Sequence, residues 1–333
     1  MEKEKWQIDV PVFMIFFNRP DTLAEVFAAV KKAKPSKLFL ACDGPRKGNK
    51  KDEEAVALCK KIVSDITWDC EVYQNYSEEN LGCGMRMYSG IKWAFETVDR
   101  LIILEDDCVP AQDFFPFCKE LLEYYKDDVR IHSINAMNHL GVYEDTPYSY
   151  FFGRSCCWGW ATWKRTWDTV DFNMSFLEDP YALRCVESKY PYYDFATKRG
   201  MERKKLLEEG KRLTAWTYQS AMACALHEQV CIVPKYNMIT NIGLSENGVH
   251  TTNNIKKLPK KSQQYYFTKG YDIEFPLKHP KYVVEDRHYY DAVTKKFKMG
   301  LFDYMEMFGR QLVFGGLKDI KKLFNILLKK KQR

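Results

Sequence analysis

The sequence predicts an α/β fold: a mostly parallel sheet flanked by helices, with a C-terminal helical appendage. Three observations carry that expectation. Over residues 1–135, short runs that are apolar on both faces alternate with amphipathic helical stretches, the pattern of strands covered from both sides. The runs stop at turn or polar sequences. The chain has 333 residues, 46% hydrophobic and 29% charged, which suits a folded protein that buries its own core without disulfide or metal staples.

Val12 to Phe17 is a continuous apolar run ending in Asn18-Arg19-Pro20. Asp21 then opens a helix with Leu23, Val26, Phe27 and Val30 at helical spacing. Lys37 to Cys42 reads as a second strand, stopped by Asp43-Gly44-Pro45. Glu53 to Ile66 is a helix, Cys70 to Asn75 a strand and Met85 to Val98 a helix. Leu101 to Leu104 is a fourth strand that runs straight into Glu105-Asp106-Asp107, and an apolar helix follows from Phe114 to Tyr125. From Phe151 to Trp167 the chain is rich in Trp, Gly and Cys, and Glu187 to Gly210 is charged and helical. Trp216 to Glu228 reads as a helix, Val230 to Pro234 as a late strand, and Lys256 to Arg287 as a polar, proline-interrupted irregular region.

Charge and cysteine usage narrow the function classes. Residues 317–333 hold seven cations and one anion, and so account for the whole net charge of +6. The body carries no basic field, which argues against nucleic acid as a partner. Eleven cysteines, none in a C-x-x-C pair and several within apolar runs, read as small buried hydrophobes in a reducing compartment. The adjacent Cys156-Cys157 reads the same way. The first residues lack the cationic-then-apolar pattern of a signal peptide. A cytoplasmic location is expected.

In an open parallel sheet, ligands bind beyond the carboxyl ends of the strands. Asn18-Arg19, Asp43 and Glu105-Asp106-Asp107 all fall there. Three adjacent carboxylates repel one another unless a cation compensates, and oxygen donors of this kind suit Mg²⁺ or Mn²⁺. A solvated turn is the plainer alternative.

The segment Leu101 to Phe115, with Glu-Asp-Asp after an aliphatic strand and then Asp113-Phe114-Phe115, resembles N-acetylglucosaminyltransferase I and related GT-A-fold, nucleotide-sugar-dependent glycosyltransferases. Trp158-Gly159-Trp160 resembles their acceptor-side segment, and Val233-Pro234 with the run from Asn241-Ile242-Gly243 to Val249-His250 resembles their closing loop. The likeness covers separated blocks between residues 10 and 252. It implies a GT-A-like, Rossmann-type sheet, with residues 1–135 as the nucleotide-sugar half, 136–255 as the acceptor half, and 256–333 as an irregular segment plus a basic amphipathic helix. It also implies that Asp107 ligates Mn²⁺ or Mg²⁺ and that Glu105 and Asp106 meet ribose and sugar. Arg19 would then meet the donor diphosphate, Asp43 the uracil ring, and His250 the diphosphate from a mobile loop. Asn80 and Arg86 would flank the nucleotide, and Trp158, Gly159, Trp160 and Trp216 would face the acceptor.

One part of the pattern is missing. An inverting transferase needs a carboxylate near the acceptor hydroxyl, and the family places an Asp beside a Trp before the late helix. Here Arg212 to Tyr218 contains no acid, and Asp168 and Asp171 are the nearest substitutes along the sequence. The activity that the resemblance implies is transfer of a hexosyl group, such as N-acetylglucosamine, from a UDP-sugar to a surface-glycan or lipid-linked acceptor. A sugar-nucleotide nucleotidyltransferase and a membrane-attached scaffold are the alternatives. Residues 317–333 place Ile320, Leu323, Phe324, Leu327 and Leu328 on one helical stripe opposite lysines, the profile of an interfacial helix on an anionic membrane.

Overall fold

The computed structural model describes residues 7–154, 158–190, 193–211, 213, 215–244, 255–264 and 266–314. Along the chain these form β1 (Val12–Phe16), α1 (Pro20–Ala33), β2 (Lys37–Cys42), α2 (Lys50–Val63), β3 (Glu71–Tyr76), α3 (Cys83–Ala94), β4 (Arg100–Glu105), β5 (Cys108–Pro110), α4 (Phe114–Tyr124) and β6 (Ile131–Asn135). Then come β7 (Tyr150–Gly153), β8 (Trp160–Trp163), α5 (Lys164–Trp167), α6 (Pro180–Lys189), α7 (Tyr193–Glu208), α8 (Thr217–Leu226), β9 (Val230–Pro234), β10 (Ile239–Asn241), α9 (Lys260–Gln263), α10 (Arg287–Phe297) and α11 (Leu301–Phe314).

The central sheet has eight strands in the order β3-β2-β1-β4-β8-β6-β9-β7. It is mostly parallel; β7 and β8 run against the other six. Alternation along each strand decides which layer a side chain joins. In β1, Val12, Met14 and Phe16 face α1, α2 and α4, while Phe13 and Ile15 face α3. In β4, Ile102 and Leu104 take the first face and Leu101 and Ile103 the second. Both layers are apolar, which is why these strands read as unbroken hydrophobic runs.

Local chemistry fixes the helix ends. Pro20 occupies the first turn of α1, where its missing N–H costs nothing, and Lys34 closes the helix in the left-handed region at φ 50°. Asn49 caps α2 by accepting from Asp52 N at 3.3 Å.

Five strands escaped the sequence reading: β5, β6, β7, β8 and β10. β7 starts at the edge of the Trp-, Gly- and Cys-rich segment and β8 lies inside it, while β5 and β10 are three residues each. β8 is antiparallel to both neighbours, so it answers to no βαβ pattern. Lys256 to Arg287 holds the short α9 and otherwise no α-helix or named strand among the described residues. No helix among the described residues is long and apolar enough to cross a membrane. Of the cysteines expected to be buried, Cys42, Cys59, Cys108, Cys118, Cys224 and Cys231 are, whereas Cys70 is half-buried and Cys83 and Cys185 are exposed; all nine are free. Cys156-Cys157 and residues 317–333 lie outside the described residues.

Register determines what is open at the carboxyl edge. β1 pairs with β4 as far as Ile15↔Glu105, but β8 pairs with β4 only as far as Ile103↔Trp160. Gly159 turns away at φ +57°, its carbonyl taken by Ala136 N at 2.8 Å on the β6 side. Leu104 and Glu105 are thus unpaired on that flank. A second ribbon, β5 with β10, begins three residues beyond Glu105.

Candidate functional site

The acidic trio sits where β4 ends. Alternation sends Glu105 towards the α3 face and Asp106 towards the α1 face. Asp106, buried, accepts from Phe17 N at 3.2 Å through Oδ2 and from Arg19 Nη2 through Oδ1. Asp107 accepts from Arg19 Nη1 at 2.7 Å through Oδ2. One guanidinium from the end of β1 therefore forks onto two neighbouring carboxylates. It leaves further N–H donors on a side chain that is 36% exposed.

The electrostatics follow from crowding. Burial, then the charges of Asp107 and Asp106, pushes Glu105 up to about 8, with Arg19 opposing. Burial also raises Asp106, to about 6, despite the pull of Arg19. For Arg19 burial works against the charge, yet Asp106 and Asp107 outweigh it and hold the guanidinium firmly protonated. The cluster gathers three carboxyl groups, and among the described residues Arg19 is the cation ion-paired to them.

The ribbon completes the enclosure. Ile242 N donates to the Asp107 carbonyl at 2.8 Å, and Gly243 lies so close that a Cβ there would overlap Asp107 Oδ2 and stand 3.1 Å from Arg19 Nη1. Gly243 N is held by Asn241 Oδ1 at 3.0 Å. Cys83, the first residue of α3, exposed to solvent, borders the trio from the other side, where Glu105 and Asp106 act to raise its thiol. Sequence reasoning gave no role to Cys83 and placed Gly243 only in a closing loop. The contact of Gly243 depends on an antiparallel ribbon too short to carry a period.

The remaining expected site residues divide by sheet edge. Trp158 and Gly159 reach the carboxyl edge beside β4, and Trp158 packs on Tyr266 at 5.3 Å. Trp160 and Trp216 do not face an acceptor: they stack at 5.1 Å with Trp167 against them, both buried. Asp43 is at the edge, but its carboxylate accepts from Gly44 N (3.0 Å) and Leu81 N (2.7 Å) on Oδ1 and from Asn80 Nδ2 (2.9 Å) and Gly82 N (3.0 Å) on Oδ2. All four acceptor sites are filled, so the expectation that Asp43 reads uracil gives way to a brace tying β2 to the loop before α3. Asn80 belongs to that brace and also donates to Gly44 O at 2.9 Å. Arg86, expected near a phosphate, is buried and donates to Cys42 O at 3.1 Å and to Asn75 O and Oδ1. It is a strut between β2 and β3.

Asp168 and Asp171 sit at the wrong end for a base. Lys164, directly after β8, donates to Asp99 O at 2.7 Å, before the first residue of β4. Asp168 is ion-paired with Lys164 at 2.9 Å, and the five steps from Arg100 to Glu105 put it about 16 Å from the trio along the sheet. Asp171 is held by Ser175 and borders a cavity with Leu226 and His227, which lead into the amino end of β9. His250 lies outside the described residues.

Among the described residues no group of three His, Cys, Asp or Glu side chains is arranged to hold a metal ion. Asp107, expected as the metal ligand, spends Oδ2 on Arg19 and accepts from Cys108 Sγ at 3.2 Å through Oδ1.

No family model and no curated protein matches this chain. Among solved structures, HddC from Yersinia pseudotuberculosis is similar at 11% identity and a TM-score of 0.31, over 52% of this chain and 85% of that one. A UDP-glucose pyrophosphorylase complexed with UDP-glucose is similar at 11% identity and a TM-score of 0.25, over 44% of this chain and 64% of that one. Likeness this slight bears on neither the fold nor the chemistry, which rest on the geometry above.

Proposed function

We propose that the chain is a metal-dependent glycosyltransferase that moves a hexosyl group from a UDP-sugar, such as UDP-N-acetylglucosamine, to a surface-glycan or lipid-linked acceptor. The observation that supports the reading is the meeting of Glu105, Asp106, Asp107 and Arg19 at the carboxyl edge of a mostly parallel sheet, beside a flank that β8 leaves open.

Asp107, with Glu105, would hold a Mn²⁺ or Mg²⁺ ion, which when bound would neutralise charge on the departing diphosphate. Arg19 has two jobs. Two of its N–H groups fix the aspartates, and those that remain donate to diphosphate oxygens as their charge grows. The amino end of α1, which opens at Pro20 next to Arg19, adds a partial positive charge to the same place. Phe17 N fixes the rotamer of Asp106, so the donor meets a rigid carboxylate. Trp158 and Gly159, beside the end of β4, would form the acceptor wall.

The test is release of UDP from UDP-sugars in the presence of Mn²⁺. Asp107→Ala should abolish it, and unchanged release would remove the site. Pyrophosphate formation from UTP and a sugar 1-phosphate would point instead to nucleotidyl transfer.

A further inference from the structure

A second cavity opens at the carboxyl edge of the sheet, beyond the end of β9. Its volume is about 270 Å³. Lys235 and Tyr236, which line it, directly follow β9, and Tyr148 comes just before β7. Asp272, Glu274 and Lys278 reach it from the segment between α9 and α10. From β4 to β9 is three strand spacings, about 14 Å, so the cavity and the acidic trio share one edge at a distance.

Backbone bonds hold the cavity walls in place. Lys235 N donates to Ser149 O and Ser149 N to Lys278 O, each at 3.0 Å, and Ile273 N donates to Asp113 Oδ2 at 2.9 Å. The same segment connects the cavity to the trio. Phe267 N donates to Asn241 O at 3.2 Å and Tyr271 N to Asn237 O at 2.7 Å, so residues 267–271 run beside β10. The far end of β10 leads to Gly243, which abuts Asp107. Tyr266, where this run begins, packs on Trp158.

The lining chemistry selects a class of ligand. Two ammonium groups face two carboxylates, which leaves no excess of either sign to choose an ion. Lys235 Nζ is spent on Thr146 O at 3.1 Å and on Glu144 at 3.3 Å. Among the described residues no hydrogen bond or ion pair engages the side chains of Asp272, Glu274 or Lys278. A hydroxyl both donates and accepts, so adjacent sugar hydroxyls satisfy a carboxylate and an ammonium together. Tyr148 and Tyr236 offer ring surface to the apolar face of a pyranose. The volume falls just below the roughly 300–1,000 Å³ of drug-sized sites, which suits one ring and not a whole chain.

We propose that this cavity is a saccharide subsite, which takes one uncharged pyranose unit of the acceptor chain while the end of that chain lies past Tyr266 and Trp158 at the trio. Its role as an acceptor subsite rests on the transferase reading; its capacity to bind a saccharide does not.

The experiment is calorimetric titration of the full chain, without metal or nucleotide, with uncharged hexasaccharides of glucose, mannose and N-acetylglucosamine. At least one is expected to bind. Tyr148→Ala/Glu274→Ala, both at exposed positions, should keep the melting temperature and bind about ten-fold or more weakly, since a stacking ring and an acceptor are gone. Tyr148→Phe, which keeps the ring, should bind close to wild type. Failure of all three hexasaccharides to bind would overturn the proposal, as would equal binding by the double variant. UDP release by the wild type is measured separately: its absence would remove the transferase reading, and a binding loss in the double variant would still establish the saccharide site.

Discussion

Arg19 Nη1 donates to Asp107 Oδ2 at 2.7 Å across the carboxyl ends of β1 and β4, and the same guanidinium holds Asp106. Removing it leaves two crowded carboxylates with no cation in reach. Arg19→Met is expected to cost about 1–3 kcal/mol, below the full cost of breaking a buried pair because the arginine is partly exposed. Adding Asp106→Asn should recover part of that loss by removing one of the stranded charges. Urea denaturation of the two single variants and the double variant gives the coupling, and strictly additive losses would show that the contact does not couple these residues.

Gly243 is where the β5–β10 ribbon touches the trio. Gly243→Ala drives a methyl group into Asp107 Oδ2 and against Arg19, so either the ribbon or the carboxylate must shift. A loss of about 1–3 kcal/mol is expected, as for other overpacked sites, together with the loss of Mn²⁺-dependent UDP release. Gly309→Ala, inside α11 where a Cβ meets nothing within 4 Å, is the control: it should leave release unchanged and lose no stability, gaining up to about 1 kcal/mol from helix propensity. Thermal melts and the release assay on both variants check this.

Asp43 separates a brace from a base reader. Asp43→Ala leaves the N–H groups of Gly44, Leu81 and Gly82 and the Asn80 amide without their acceptor, and about 2–4 kcal/mol should be lost. Asp43→Asn retains one acceptor oxygen and should lose about half as much. Both should keep the wild type's preference among nucleotide donors. A changed preference with unchanged stability would restore Asp43 to the uracil ring.

Buried neutral histidines give the fold a direction on the pH axis. His132 lies between Gln229 Oε1 and Ser220 Oγ, each 3.0 Å away; Gln229 Oε1 can only accept, so Nδ1 carries the proton and Nε2 takes the serine hydroxyl. Burial lowers its pKa from 6.5 to about 4, and His139 moves to about 4 for the same reason. Between those values the unfolded chain binds protons that the folded chain refuses. The histidines' share of the stability is therefore complete above 6.5 and is lost as pH falls towards 4, by about 1.4 kcal/mol per pH unit for each histidine, while Glu105 and Asp106, raised by burial, work in the opposite direction. Comparing the change in urea midpoint from pH 7.5 to 5.0 between wild type and His132→Gln isolates the histidine: relative to wild type, the variant should gain stability at pH 5.0.

The first half of the fold was legible because it repeats one local rule. β2 and β9 have the bounds that their apolar runs predict, since a strand covered on both faces must be apolar throughout. β7 and β8 were not legible: they pair with partners far along the chain, and four residues carry no period. The site divides the same way. A carboxylate directly after a buried strand must lie at the sheet edge, so the place of Glu105, Asp106 and Asp107 could be read from order alone. The duties of Asp43 and Arg86 could not, because those depend on which loop carbonyls and amides fold back onto them. Asp168 and Asp171 are near Trp160 in sequence and far from the trio in space, because β8 runs backwards and carries the chain to the opposite edge.

The late start of β8 turns one residue into a gatepost. Had the strand begun two residues sooner, Gly159 would sit opposite Leu104 and Trp158 opposite Glu105, and the ladder would run on to the acidic end. What can approach that end is thus governed by where one short strand begins, and remodelling the turn at Gly159 would widen or narrow the doorway without altering a single charged group.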